Sequence, residues 1–194
     1  VFTPARTRIS DLDTIPFPDF SDFPICNYSG SDDPESNPVF WSVFSSRGCP
    51  FNCTFCSSHN VFGRSMRLRS AKNVFEEISL LADHFGAKSF AFQDDEILCN
   101  KKRFIEFCDL MASSRIKVKM SIRTRINSIN PEIIIKAKNA GVTRFCFGIE
   151  SWNDQTLDLI NKNYNVKTIY KHSQYLAKAQ PLPVFFNNIC GFPW

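Results

Sequence analysis

Three cysteines stand close together, Cys49, Cys53 and Cys56, in the run Gly48-Cys49-Pro50-Phe51-Asn52-Cys53-Thr54-Phe55-Cys56. Thiolates are the soft ligands that iron–sulfur clusters require. Offsets of 0, 4 and 7 suit three irons of a [4Fe–4S] cube. The fourth iron would then lack a protein thiolate and be open to another ligand. Two bland alternatives compete. Cys53 and Cys56 also form half of a zinc site, which needs a second half-site. Cys99 and Cys108 lack the close spacing of one, although His59 is a further donor nearby. Cysteines can also be unligated small hydrophobes of a core. Gly48, Pro50, Asn52 and Thr54 give the stretch the composition of a ligand-bearing loop rather than of a packed element.

The same residues resemble the signature of the radical S-adenosylmethionine (SAM) superfamily, Cys-x3-Cys-x2-Cys with an aromatic, here Phe55, before the last cysteine. The resemblance implies a [4Fe–4S] cluster on Cys49, Cys53 and Cys56 that chelates the amino and carboxylate groups of SAM at its open iron. It further implies one-electron cleavage of SAM to a 5′-deoxyadenosyl radical. Other positions extend the likeness. Asp94 and Asp95 follow a strand, where relatives receive polar parts of SAM or substrate; the bland reading is a cap for the next helix. Phe147-Gly148-Ile149-Glu150-Ser151 resembles the family's fourth-strand motif, whose carboxylate helps to hold the ribose or amino-acid portion of SAM. Gly191-Phe192-Pro193 resembles the start of a Gly-Leu-Pro-Gly phrase whose glycine lets backbone approach adenine, with Trp194 where relatives carry glycine. The adenine would then lie between Phe55 and the backbone of residues 189–191. Arg123, after the third strand, is a candidate partner for a carboxylate.

These residues need a scaffold that brings strand ends together. Residues 39–45 read as a buried strand leading into the cysteine loop, and residues 57–69 as a loop. Ser70 is a plausible N-cap for a helix through Val74, Ile78, Leu81 and Phe85, closed by Gly86. Lys88–Phe92 is a second strand. Lys101–Ser113 is a helix, Val118–Ile122 a strand, and Asn130-Pro131 opens another helix that Gly141 closes. Arg144–Ile149 is the fourth strand. Helices over residues 154–160 and 166–178 precede a fifth strand over residues 184–190. Alternating strands and helices predict an α/β fold with parallel strands. No glycine-rich dinucleotide loop follows the first strand, which argues against a Rossmann sheet. The resemblance implies a partial (β/α)6 TIM-like barrel, with about five β/α units in this chain. Cys99, Cys108, Cys146 and Cys190 read as core thiols or bystanders.

Residues 1–38 lack periodicity and carry Pro4, Pro16, Pro18, Pro24, Pro34 and Pro38. They read as a linker or an arm on a domain surface, with Ile15, Phe17, Phe20 and Phe23 as anchors. The phrase Asp11-Leu12-Asp13-Thr14-Ile15-Pro16-Phe17-Pro18-Asp19 is similar to the segment that joins a cobalamin-binding domain to the core in the cobalamin-associated subgroup. Residues 39–194 are then the radical SAM core. Val1 at one end and Gly191–Trp194 just after a strand suggest a piece of a longer protein whose last unit is absent.

The 194 residues suit one domain, and twenty phenylalanines predict an aromatic core. A net charge of +4 gives no indication of nucleic-acid binding. No run reaches transmembrane length, and no secretory signal precedes the first charges. Eight unevenly spaced cysteines favour free thiols in a reducing, cytoplasmic compartment. The expected function is radical cleavage of SAM for C–H functionalisation, with cobalamin-dependent methyl transfer if a cobalamin domain is attached. A flavodoxin- or ferredoxin-type reductant and an unidentified small-molecule or lipid substrate would be the partners. The alternatives are a methylthiotransferase-like enzyme and a non-catalytic iron–sulfur or zinc module.

Overall fold

The computed structural model describes residues 3–4, 6–24, 41–179 and 182–193. In chain order these form β1 (Trp41–Val43), β2 (Ser46–Arg47), α1 (Ser58–Val61), β3 (Arg67–Leu68), α2 (Ala71–Phe85), β4 (Ser89–Phe92), α3 (Lys101–Ser113), β5 (Lys119–Thr124), α4 (Pro131–Asn139), β6 (Val142–Glu150), α5 (Asp154–Leu159), α6 (Val166–Lys178) and β7 (Val184–Asn188).

The main sheet runs β1-β4-β5-β6-β7, and every pair in it is parallel. Spatial order equals chain order. A doubly wound sheet reverses its order at a switch point; a barrel sheet does not. This is a partial β/α barrel of the expected kind. All four residues of β4 are buried, as befits a central parallel strand covered on both faces.

Local chemistry sets the helix limits. Ser70 accepts a hydrogen bond from the Asn73 N–H at the start of α2, and Gly86 ends it in the left-handed region at φ 65°. Asn100, Asn130 and Asn165 cap α3, α4 and α6 in the same way. Val74, Ile78 and Leu81 of α2 then meet Phe104, Phe107 and Met111 of α3 in one core with the sheet residues Phe90, Phe92, Phe145 and Phe147. Phe145 and Phe147 stack at 5.9 Å, and Phe92 meets Phe107 edge-on at 5.6 Å.

The first unit departs from expectation. Residues 39 and 40 lie outside the described residues. The strand stops at Val43, the chain turns, and β2 pairs antiparallel with β3 through Ser46↔Leu68 and Arg47↔Arg67. Residues 57–69, expected as a loop, thus contain α1 and β3. This small ribbon pins both ends of the cysteine loop. Cys108 is fully buried, but Cys99 and Cys190 are exposed and Cys146 is half-buried, so Cys190 is not the core thiol expected. Pro181 and Trp194 lie outside the described residues.

Residues 6–24 of the proline-rich leader pack over the first unit; residues 25–38, with Pro34 and Pro38, lie outside the described residues. Phe20 meets Trp41 edge-on at 5.0 Å and Phe85 at 6.1 Å. Leu12, not among the expected anchors, is buried, whereas Phe23 is exposed. Arg8 Nη1 donates to the Phe62 carbonyl at 2.6 Å, and the Ser70 N–H donates to Asp13 Oδ1 at 2.8 Å. Among the described residues no helix is long and apolar enough to cross a membrane.

Candidate active site at the carboxyl ends of the strands

The cysteine loop leaves β2 through Gly48, whose φ of 97° places it in the left-handed region. A side chain there would meet the Ser65 carbonyl oxygen at 2.5 Å. The Cys49 N–H donates to the Gly63 carbonyl at 3.3 Å, the Cys56 N–H to the Cys53 carbonyl at 3.2 Å, and the Thr54 N–H to the Ile160 carbonyl at 3.1 Å. The loop is thereby tied to its own far side and to the turn after α5. Cys49, Cys53 and Cys56 are half-buried free thiols. Burial pushes the Cys49 thiol up, opposed by the Phe51 backbone N–H and reinforced by Asp95, Glu96 and Cys56.

All three thiols line one cavity of about 250 Å³ at the carboxyl ends of the strands, together with Phe55, Asp94, Asp95, Arg123 and Glu150. Active sites of β/α barrels occupy this end. Phe55 is 39% exposed, with the Phe192 ring 6.2 Å away. Ser151 and Gly191 do not line the cavity. Ser151 Oγ accepts from the Asn153 N–H at 3.2 Å. Gly191 adopts φ 84° with open space where a side chain would stand. The Ile189 N–H donates to the Glu150 carbonyl at 3.0 Å, which tethers that segment to the end of β6. His59 lies on α1 and does not line the cavity.

The acidic residues have different surroundings. Asp94 is 2% exposed and both its oxygens are engaged. It accepts from the Ser45 N–H at 3.0 Å, from Ser45 Oγ at 2.6 Å and from Ser46 Oγ. Burial raises its pKa against these hydrogen bonds and against nearby Arg103. Its contacts clasp the β1–β2 turn, and they are neither a helix cap nor an open ligand. Asp95, in contrast, is exposed and accepts from Ser58 Oγ. Arg123 is exposed and donates to Gln93 Oε1 at 3.1 Å. Glu150 is 9% exposed and sits at φ 70°, an unusual backbone state for a residue with a side chain. Its Oε1 pairs with Lys162 Nζ at 3.2 Å. A Cβ on Gly148 would lie 2.4 Å from that same oxygen, so this glycine makes room for the carboxylate.

Other lining residues went without an assigned role in the sequence, although Glu96 completes the acidic run Asp94-Asp95-Glu96 after the strand. Glu96, 1% exposed, accepts from Thr124 Oγ1, from the Arg125 N–H at 2.8 Å and from the Leu98 N–H at 3.1 Å. Burial pushes its carboxyl up. Arg125 and Lys162 are buried cations, and Cys146, expected in the core, lines the cavity. Arg125 follows β5 and Lys162 lies in the turn after α5, places where a charged residue is ordinarily at the surface.

The donor set suits an iron–sulfur cluster. Three reduced thiols share one cavity at the mouth of the barrel. Among the described residues no three His, Cys, Asp or Glu side chains converge closely enough for a single metal ion. A cluster does not need that convergence, because each thiolate binds a different iron.

Comparisons with known proteins agree with this architecture. A protein of Pyrococcus horikoshii described as an uncharacterized methyltransferase is 35% identical over 190 residues, 98% of this chain and 40% of that protein. The anaerobic magnesium-protoporphyrin IX monomethyl ester cyclase of Cereibacter sphaeroides is 37% identical over 124 residues, 62% of this chain and 20% of the cyclase. The chain therefore spans well under half of these relatives. Among solved structures, the cobalamin-dependent SAM radical enzyme OxsB superposes with a TM-score of 0.69 over 78% of this chain and 24% of OxsB, at 21% identity. The radical SAM methyltransferase TsrM of Kitasatospora setae gives 0.71 over 79% of this chain and 31% of TsrM, at 13% identity. The radical SAM superfamily model matches residues 43–193, and the chain belongs to that superfamily of enzymes.

Proposed function

We propose that the chain is the SAM-cleaving core of a radical SAM enzyme, with Cys49, Cys53 and Cys56 as ligands of a [4Fe–4S] cluster. The observation that carries this is the gathering of three free thiols with Phe55 and Glu150 in one cavity at the catalytic end of a β/α barrel. When bound, cluster and SAM together supply one-electron C–S cleavage and a 5′-deoxyadenosyl radical. The chain's own residues bind, orient and shield. Phe55 offers an exposed ring face for the adenine, with Phe192 beside it and the residue 189–191 backbone tethered nearby. We assign Glu150 and Asp95, which line the cavity, to the ribose and amino groups of SAM, and Arg123 to a carboxylate at the rim. Asp94 serves one step back, by holding the turn from which the cysteine loop springs. Ser151 supports the turn after Glu150, and Gly191 keeps the last segment free of side-chain bulk.

The relatives' names point to the reaction class. Methyltransferases and a tetrapyrrole cyclase lie among them, and cobalamin-dependent enzymes share the fold. We assign residues 1–38 as the arm between a cobalamin-binding domain and the core at residues 39–194, and methyl transfer to an unactivated carbon as the reaction, on a small-molecule or lipid substrate with a flavodoxin- or ferredoxin-type reductant.

Anaerobic reconstitution with iron and sulfide, then electron paramagnetic resonance of the reduced protein with and without SAM, tests the core assignment. A [4Fe–4S] signal that SAM perturbs, with 5′-deoxyadenosine as product, is expected. Ala at Cys49, Cys53 or Cys56 should abolish both; full activity with an unaltered cluster in any of these variants would sink the assignment.

A further inference from the structure

Arg125 follows β5 and is 6% exposed. Its guanidinium lies 4.0 Å from the Phe51 ring and 5.0 Å from the Tyr164 ring. Nη2 donates to the Lys162 carbonyl, and Nη1 donates to Cys53 Sγ at 3.6 Å. The other buried cation of the cavity is already answered, since Lys162 pairs with Glu150. Glu96 stands near Arg125 but takes its backbone N–H. Among the described residues no carboxylate forms an ion pair with the Arg125 guanidinium. A buried cation is costly unless something negative answers it, and the group it reaches here is the sulfur of Cys53.

We propose that Arg125 is a positioning residue for Cys53, and that its charge and its N–H···S hydrogen bond raise the reduction potential of a cluster held there. The proposal rests on the reading that the thiols bind an iron–sulfur cluster. Net charge and hydrogen bonds to sulfur set the potentials of such clusters, and a nearby cation favours the state with the extra electron. The surroundings of Arg125 hold it for this purpose. Two aromatic faces pin the guanidinium plane. The turn that supplies the Lys162 carbonyl is also stitched to the cysteine loop through Thr54 and Ile160. Asn161 and Asn163 in that turn both take φ 55°, and the Asn161 carbonyl lies 3.9 Å from Cys53 Sγ. Cys53 is thereby placed from outside its own motif, by residues far along the chain.

The test uses the whole protein, reconstituted anaerobically, as wild type, Arg125→Gln, Arg125→Lys and the surface control Arg115→Gln. Iron content is measured first. A potentiometric titration then follows the reduced cluster by electron paramagnetic resonance. Arg125→Gln should lower the midpoint by at least 59 mV, a tenfold loss in the ratio of reduced to oxidised cluster at a given poise. Arg125→Lys, which keeps the charge, should stay within about threefold of wild type in that ratio. Arg115→Gln should not move it. An Arg125→Gln protein with full iron and an unmoved midpoint overturns the proposal and leaves the cluster reading intact. If Arg125→Gln takes up no cluster, Arg125→Lys decides. A cluster with a near-wild-type midpoint supports the proposal, and loss of the cluster there too overturns it. A wild-type protein without a cluster overturns the functional reading and this proposal together.

Discussion

At the scale of single residues, the candidate site depends on positions where a side chain is excluded as much as on those where one is required. Gly48 and Gly86 both have positive φ, yet they should respond differently to alanine. At Gly86 nothing lies within 4 Å of an added Cβ, so the cost is the backbone preference alone, about 1–2 kcal/mol. At Gly48 the Cβ meets the Ser65 carbonyl at 2.5 Å and the Gly63 carbonyl at 3.1 Å, both backbone atoms. The second of these accepts from the Cys49 N–H. Gly48→Ala should cost about 3 kcal/mol or more and impair iron uptake. Gly86→Ala should lower the melting temperature by much less and leave iron uptake intact. Thermal melts with iron analysis check both; equal losses in the two variants would show that the contact with Ser65 is immaterial. Glu150 tells a related story. Its strained backbone persists because Lys162 holds the carboxylate and Gly148 leaves it space.

At the scale of elements, the clasp between Asp94 and the β1–β2 turn joins the cysteine loop to the end of β4. Ser45 and Ser46 lend three hydrogen bonds to it, and Arg103 donates to the Ser45 carbonyl at 3.0 Å. Burial still raises the Asp94 pKa above its ordinary 3.8. A carboxyl with a raised folded-state pKa binds its proton more readily when folded. Its contribution is therefore fully present below the unfolded value and is lost as pH rises through the folded one. Asn at this position does not titrate. The stability gap between wild type and Asp94→Asn should be widest in acid and narrow as pH rises. Urea unfolding at steps from about pH 4 to pH 8 reads this directly; a gap that widens with pH would mean that the ionised clasp is the stronger form. At the other side of the sheet, β7 pairs only with β6 among the described residues, and Phe185 and Phe186 are 48% and 37% exposed. That edge and its aromatics are a surface on which another strand or chain can add.

At the scale of the whole molecule, the leader is part of the folded unit over the residues described. Leu12 is buried against the first unit, Phe20 packs on both Trp41 and Phe85, and Arg8 reaches the Phe62 carbonyl next to Gly63. Gly63 in turn receives the Cys49 N–H, so the leader and the first cysteine share a support. Deletion of residues 1–24 should uncover Trp41, shift tryptophan emission to longer wavelength and lower the melting temperature by several degrees, as loss of about 2–5 kcal/mol from Leu12 alone implies. An unchanged emission spectrum and melt would show that the leader only rests on the surface.

Much of this was readable in the sequence because it depends on neighbours in the chain. The spacing of Cys49, Cys53 and Cys56 is local. Helix starts at Ser70, Asn100, Asn130 and Asn165 are local too, since a cap needs only the N–H three residues on. Alternating elements sufficed for a parallel α/β fold. The β2–β3 ribbon escaped notice because two-residue strands have no periodicity to read. Asp94 and Asp95 are adjacent and alike in sequence, yet one is buried in a clasp and the other is exposed at the cavity. Only the direction of each side chain from the end of β4 distinguishes them.

The sequence by itself determined the spacing of the three cysteines, the alternation of the main-sheet strands with their helices, and the family. Tertiary structure alone decided which charges face those thiols. Arg125 lies 72 residues from Cys53, and the Asn161 carbonyl near the same sulfur lies 108 residues away. Such groups meet because parallel strands of a barrel deliver their carboxyl ends to one place, whatever their separation along the chain. Burial then turns an ordinary arginine into a directed charge, and burial is a property of the fold.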